Sequence, residues 1–146
     1  MTYEVHALRY ATSGRRDVRE NFLQLDPTLD PHDAGTPLDY FVWLIEGEGR
    51  VILVDTGFNG AAAAARRRTL LANPAEALSG FGVPPGAVED VVLTHLHYDH
   101  AGNLDRFPNA RFHIQDREMT YATGLHAEAW TLHEEPAKAM PSPAGP

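Results

Sequence analysis

Residues 90 to 103 read DVVLTHLHYDHAGN, a short apolar run that breaks into three histidines and one aspartate within six positions. The run Asp90–Thr94 predicts a buried strand, and the polar cluster begins where that strand stops. Loops beyond the carboxyl ends of strands are where open α/β sheets place their chemistry. In an extended segment, residues two apart project to the same side, so His95 and His97 can grip one cation together. A turn after Tyr98 brings Asp99 and His100 to a second position close by. Neutral imidazole suits Zn, Fe, Ni or Cu, and a carboxylate adds a hard, negatively charged ligand. Two such cations, roughly 3.5–4 Å apart, can clamp a bridging hydroxide and polarise a carbonyl or phosphoryl oxygen. Leu96 is expected to face the core, and Gly102 to let backbone pass close behind the loop. Paired histidines also occur on solvated surfaces and in hydrogen-bonded cores. This density of donors directly after a buried strand is better explained by metal binding.

Outward from the motif, the chain alternates strands and helices. Tyr3–Tyr10 predicts a first strand ending at the turn-prone Thr12-Ser13-Gly14. Arg15–Pro37 is rich in Asp, Pro and Gly and reads as a long loop, with His32 a solvated loop residue. LDYFVWLIEG and RVILVDTGF form a hairpin across EGEG, with Gly47 and Gly49 expected to take positive φ. Both runs are apolar almost throughout, so their sheet should be covered on at least one face and partly on both. The alanine-rich stretch predicts a helix over Gly60–Ala72 that includes Arg66-Arg67-Arg68. Asn73-Pro74 caps a second helix. AGNLDRF predicts a short helix, ARFHIQ a strand carrying His113 near the surface, and Arg117–Ala122 a last helix capped by Asp116. The order is that of an α/β fold.

The totals bound the partners. The net charge of −8 over 146 residues argues against nucleic acid or an anionic membrane as the main partner. With no cysteine, a metal must be held by nitrogen and oxygen ligands. The first residues lack the apolar core of a secretory signal, YFVWLI is too short to span a bilayer, and the expected location is cytoplasmic.

The H-x-H-x-D-H at His95–His100 resembles the signature of the metallo-β-lactamase superfamily. The segment Leu38–Gly124 is similar to its N-acyl homoserine lactonase-like branch. That resemblance implies the N-terminal half of an αβ/βα sandwich over residues 1–124, binding two zinc ions per complete domain. His95 and His97 would ligate the first ion, Asp99 and His100 the second. Asp99 would also orient the attacking metal-bound hydroxide and pass its proton to the leaving group as a lactone ring opens. Asp55, in VDTG, matches the aspartate that supports the metal loop from behind, although a turn former at a strand end is an equal reading. Tyr98 could face substrate or pack within the fold, and His6 has no spacing that links it to the site. A thioesterase of the glyoxalase II kind is the neighbouring reading within the family.

A complete member of that family runs to roughly twice this length. Its second half supplies a further histidine to each ion and a bridging aspartate. Here the resemblance stops after Gly124, and residues 125–146, with His126 and His133, read as a flexible tail foreign to the family, as a frameshift would produce. Two protein ligands per ion fall short of the usual three. The second expectation is therefore an inactive fragment that binds metal weakly and self-associates through the exposed apolar face of YFVWLI and VILV.

Overall fold

A computed structural model describes residues 2–14 and 37–124. His32 with nearly all of the expected loop, and the tail with His126 and His133, lie outside the described residues. The strands are β1 (Glu4–Ser13), β2 (Leu38–Gly47), β3 (Arg50–Val54), β4 (Thr69–Leu70), β5 (Asp90–Val92) and β6 (Arg111–His113). Between and after them come α1 (Gly60–Ala65), α2 (Pro74–Ala77) and α3 (Asp116–Thr123), with 3-10 turns at Leu78–Phe81, Pro85–Ala87 and Leu104–Arg106. All six strands join one mixed sheet in the order β4-β1-β2-β3-β5-β6.

The parallel half of that sheet positions the site. β3 and β5 run side by side with Val54 opposite Val92. The residues that follow them, Asp55 and Leu93-Thr94, therefore emerge together at one sheet edge. β6 continues the parallel set with Val92 opposite His113.

Strand alternation sends Leu8, Tyr10, Val42, Leu44, Leu53 and Val91 to the face packed against Phe58, Leu78, Val83, Val88, Leu96 and Phe107. Each fully buried side chain of this size contributes about 1.5–3 kcal/mol relative to exposure. By register the opposite face carries Val5, Phe41, Trp43, Ile45, Ile52, Val54 and Val92. Val5 there is 62% exposed, Val92 38% and Phe41 36%. Trp43, Ile45, Ile52 and Val54 on the same face are half-buried, so among the described residues this face is covered only in part, as expected.

Several local expectations give way to tertiary pairing. The alanine-rich helix ends at Ala65, not Ala72. Arg67 turns the chain at φ 53°, and Thr69-Leu70 then pairs with Thr12 and Ala11 of β1. A run of good helix formers is a weak prior, and here satisfying the free edge of β1 outweighs it. Pairing with β2 carries β1 on through Thr12 and Ser13, opposite Asp39 and Leu38. In the hairpin, Glu48 and Gly49 take positive φ (52° and 74°), the two central positions of a primed turn. Gly47 stays in the strand, and its small size is what matters, because a Cβ there would come 2.5 Å from the Tyr3 ring. β5 closes at Val92, two residues early, because the Thr94 N–H is taken by the Asp55 carboxylate. The second helix follows its caps: Asn73 accepts from the Ala75 N–H at 2.9 Å and Pro74 opens the first turn. α3 begins at Asp116 with Gln115 as the capping residue, one position before the expected cap.

Candidate metal centre

Asp55 is the centre of the arrangement. It is fully buried and holds a left-handed φ of 62° at the end of β3. Its Oδ1 accepts from the Thr94 N–H at 2.8 Å, and the Thr94 hydroxyl lies 2.9–3.0 Å from both carboxylate oxygens. Its Oδ2 lies 2.8 Å from Nδ1 of His100. With the carboxylate accepting, Nδ1 of His100 is the donor, and in the neutral ring Nε2 keeps its lone pair for a ligand. Turn former and support of His100 are thus one role at one residue.

The donors crowd together beyond that anchor. The rings of His95 and His97 have centroids 4.5 Å apart, and those of His95 and His100 are 3.9 Å apart. Asp99 Oδ2 is 3.7 Å from Nε2 of His100, and the Thr94 hydroxyl is 3.0 Å from Nδ1 of His95. Burial, helped by the neighbouring His100 and His97, pushes the His95 imidazole toward its neutral form. Burial also pulls on His100, but the hydrogen bond to Asp55 and the charge of Asp99 outweigh it and raise its pKa.

The loop is tethered from distant parts of the chain. The buried Tyr10 hydroxyl donates to the Asp99 carbonyl at 2.8 Å. The Thr56 N–H donates to the His100 carbonyl at 2.6 Å, and the Asn103 amide donates to the Thr56 carbonyl at 2.9 Å. Gly102 permits the close crossing expected of it: a Cβ would lie 2.8 Å from both the Gly57 and Tyr98 carbonyl oxygens. Leu96 is buried as expected. The Leu96 N–H donates to Glu118 Oε1 at 2.9 Å, a contact across from α3.

Tyr98 packs within the fold. Its ring stacks on Phe58 at 5.7 Å and lies under the Arg66 guanidinium at 3.9 Å. Burial, with the charge of Asp99, pushes its hydroxyl up to about 12. His113 sits in β6, half exposed, with Nε2 2.8 Å from Asp90 Oδ1 at the far end of β5. His6 lies near Glu4 and Glu46, with its ring tilted against that of Phe81 at 5.1 Å.

The donor set fits a divalent cation in kind. It offers three imidazoles and a carboxylate, and one imidazole is oriented through Nδ1 in the way that metal-binding histidines usually are. In number it is incomplete: among the described residues no group of three or more His, Cys, Asp and Glu side chains converges to hold an ion. Sequence reading missed Thr94, Thr56, Tyr10, Asn103 and Glu118. Only Thr94, adjacent to the motif, carried a local signal.

Comparison with known proteins bears on the family and the fold. The family model of the metallo-beta-lactamase superfamily matches residues 35–143, running past Gly124. An N-acyl homoserine lactonase, AttM of Azorhizobium caulinodans, is 47% identical over 45 residues, which cover 31% of this chain and 17% of AttM. The human metallo-beta-lactamase domain-containing protein 1 is 52% identical over 59 residues, covering 40% of this chain and 19% of that protein. Among solved structures, a quorum-quenching N-acyl homoserine lactone lactonase superposes with a TM-score of 0.72 at 23% identity. The superposition covers 92% of this chain and 53% of that one. An N-acyl homoserine lactone hydrolase, with N-hexanoyl-L-homoserine at its catalytic metal centre, superposes with a TM-score of 0.70 at 21% identity, covering 92% and 56%. The chain thus spans about half the length of the solved structures it matches and less than a fifth of these two curated relatives aligns with it.

Proposed function

The chain belongs to the metallo-beta-lactamase superfamily, and from that premise we propose that it carries half of a metal-dependent hydrolytic site that opens the lactone ring of N-acyl homoserine lactones. The observation that carries this reading is the bond from His100 Nδ1 to the buried Asp55, which turns one imidazole outward beside His95, His97 and Asp99. His95 and His97 would hold one ion, Asp99 and His100 the other, and zinc is the metal we assign. Such ions supply Lewis acidity and a nucleophile at neutral pH. Asp99, through its carboxylate, would orient that nucleophile and carry a proton to the departing alkoxide. The lactone class comes from the relatives' activities, and the same donors would serve a thioester. Its acidic balance and the lack, among the described residues, of a helix long and apolar enough to cross a membrane go with a small-molecule substrate in the cytoplasm.

The test is hydrolysis of a panel of N-acyl homoserine lactones and a thioester by zinc-loaded protein. Ring opening should be abolished by chelator and by His97→Ala. Asp99→Asn should lower turnover about 100-fold or more, the scale of a lost proton-transfer group. Protein that holds two ions tightly and turns over no lactone would refute the assignment.

A second reading has its own support. Four donors for two ions among the described residues, and an apolar sheet face that is exposed at Val5, Phe41 and Val92, favour a chain that binds metal weakly and associates with itself through that face. Zinc stoichiometry measured beside the molar mass in solution separates the two: two tight ions on a monomer would exclude it.

A further inference from the structure

We propose that Glu118 is a positioning residue for the histidine loop: its carboxylate, reaching across from α3, fixes the peptide between His95 and His97 and so sets where both imidazoles point. This rests on reading those two histidines as ligands of one cation. Leu96 is held at two places. Its side chain is 4% exposed and anchored in the core, while its N–H donates to Glu118 Oε1 at 2.9 Å. With residue 96 fixed inward and its peptide clamped, the side chains on either side are directed the other way.

The bond is unusual for its place in the helix. Glu118 is the third residue of α3, where a glutamate ordinarily reaches back to the N–H of the capping residue. Here that carboxylate is committed to the loop, and the capping residue Gln115 makes no side-chain cap bond. A hydrogen bond to an ionised acceptor is roughly twice as strong as a neutral one. Of the other tethers, the Thr94 hydroxyl meets the His95 ring at 3.0 Å, while Tyr10 acts on Asp99, and Thr56 and Asp55 on His100; Glu118 is the one that holds the backbone between His95 and His97 from α3. Glu118 therefore acts on the first pair of donors through their backbone, where Asp55 acts on His100 through its ring.

Amide hydrogen exchange of labelled protein reads the clamp directly, and titration with Co(II) reads its consequence. Glu118→Ala should release the Leu96 amide to fast exchange and weaken Co(II) binding about 10-fold or more, the usual cost of losing a partner behind a ligand. Glu118→Gln, which keeps an acceptor oxygen, should retain most of the protection and affinity at a similar melting temperature. A Leu96 amide that stays protected in Glu118→Ala would overturn the proposal, as would unchanged Co(II) affinity once that amide is free. Wild-type protein that takes up no Co(II) would instead remove the metal reading, and the amide comparison would still decide the clamp.

Discussion

Replacing Asp55 tests whether one buried carboxylate organises the loop, and its cost can be worked from the contacts. Asp55→Ala removes the acceptor for the Thr94 N–H, the Thr94 hydroxyl and His100 Nδ1. The hydroxyl can turn to His95 Nδ1, 3.0 Å away, and the partly exposed His100 ring can find water. The Thr94 N–H is left unpaired at the cost of about 1–3 kcal/mol. Losing the charge-assisted bond to His100 costs about 1.5–3 kcal/mol more. Alanine must also hold the φ of 62°, which costs it about 1–2 kcal/mol. The total comes to about 3.5–8 kcal/mol, a large part of the 5–15 kcal/mol that stabilises a domain. Asp55→Asn keeps an acceptor and tolerates the left-handed conformation, so its loss should be only about 1–2 kcal/mol. Urea unfolding followed by far-UV circular dichroism measures both. A loss below about 1 kcal/mol in Asp55→Ala would show that the carboxylate does not organise the loop.

Two further predictions concern the frame around the site. The Asp90 carboxyl is held down to about 2 by its hydrogen bonds to His113 and Arg50, with Arg111 also beside it. A lowered folded pKa means stability that is present above the unfolded value near 4 and lost as pH falls through about 2. Asp90→Asn should therefore lower the melting temperature near pH 7, and the gap to wild type should close toward pH 2 in a series of thermal scans. At the hairpin, Glu48 sits at φ 52° before Gly49. Glu48→Asn, which makes the Asn-Gly pair that this turn prefers, should raise stability by about 0.5 kcal/mol in urea unfolding.

What the sequence disclosed follows from the range of each interaction. The hairpin, the Asn73-Pro74 cap and the burial of Leu96 are set within a few residues, and all were readable from pattern. The motif at His95–His100 was readable for the same reason: its donors are neighbours in the chain. β4 was hidden because the helix propensity of the alanine run is local while its competitor, the edge of β1, is not. Asp55 was half legible: VDTG showed a strand-end aspartate, but not whether it would turn the chain or hold a histidine. It does both. Glu118 was disguised, since a glutamate in a helix's first turn reads as a capping residue and nothing local points to a loop 22 residues away. Tyr10 gave no sign beyond its alternation, and its partner Asp99 is 89 residues distant.

Those separations carry a consequence for how the site comes into being. The bonds that shape the loop close sequence distances of 22, 45 and 89 residues. Long-range closures are made late, because their entropy must be met before the contacts return anything. The histidines are synthesised well before Glu118, so their geometry waits on a helix that leaves the ribosome after them. An ion that prefers the finished loop would bind the folded chain and not the nascent one, and would add its binding free energy to the stability of the fold. Metal affinity would then report on the folding of the whole sheet, from the first strand to the last helix.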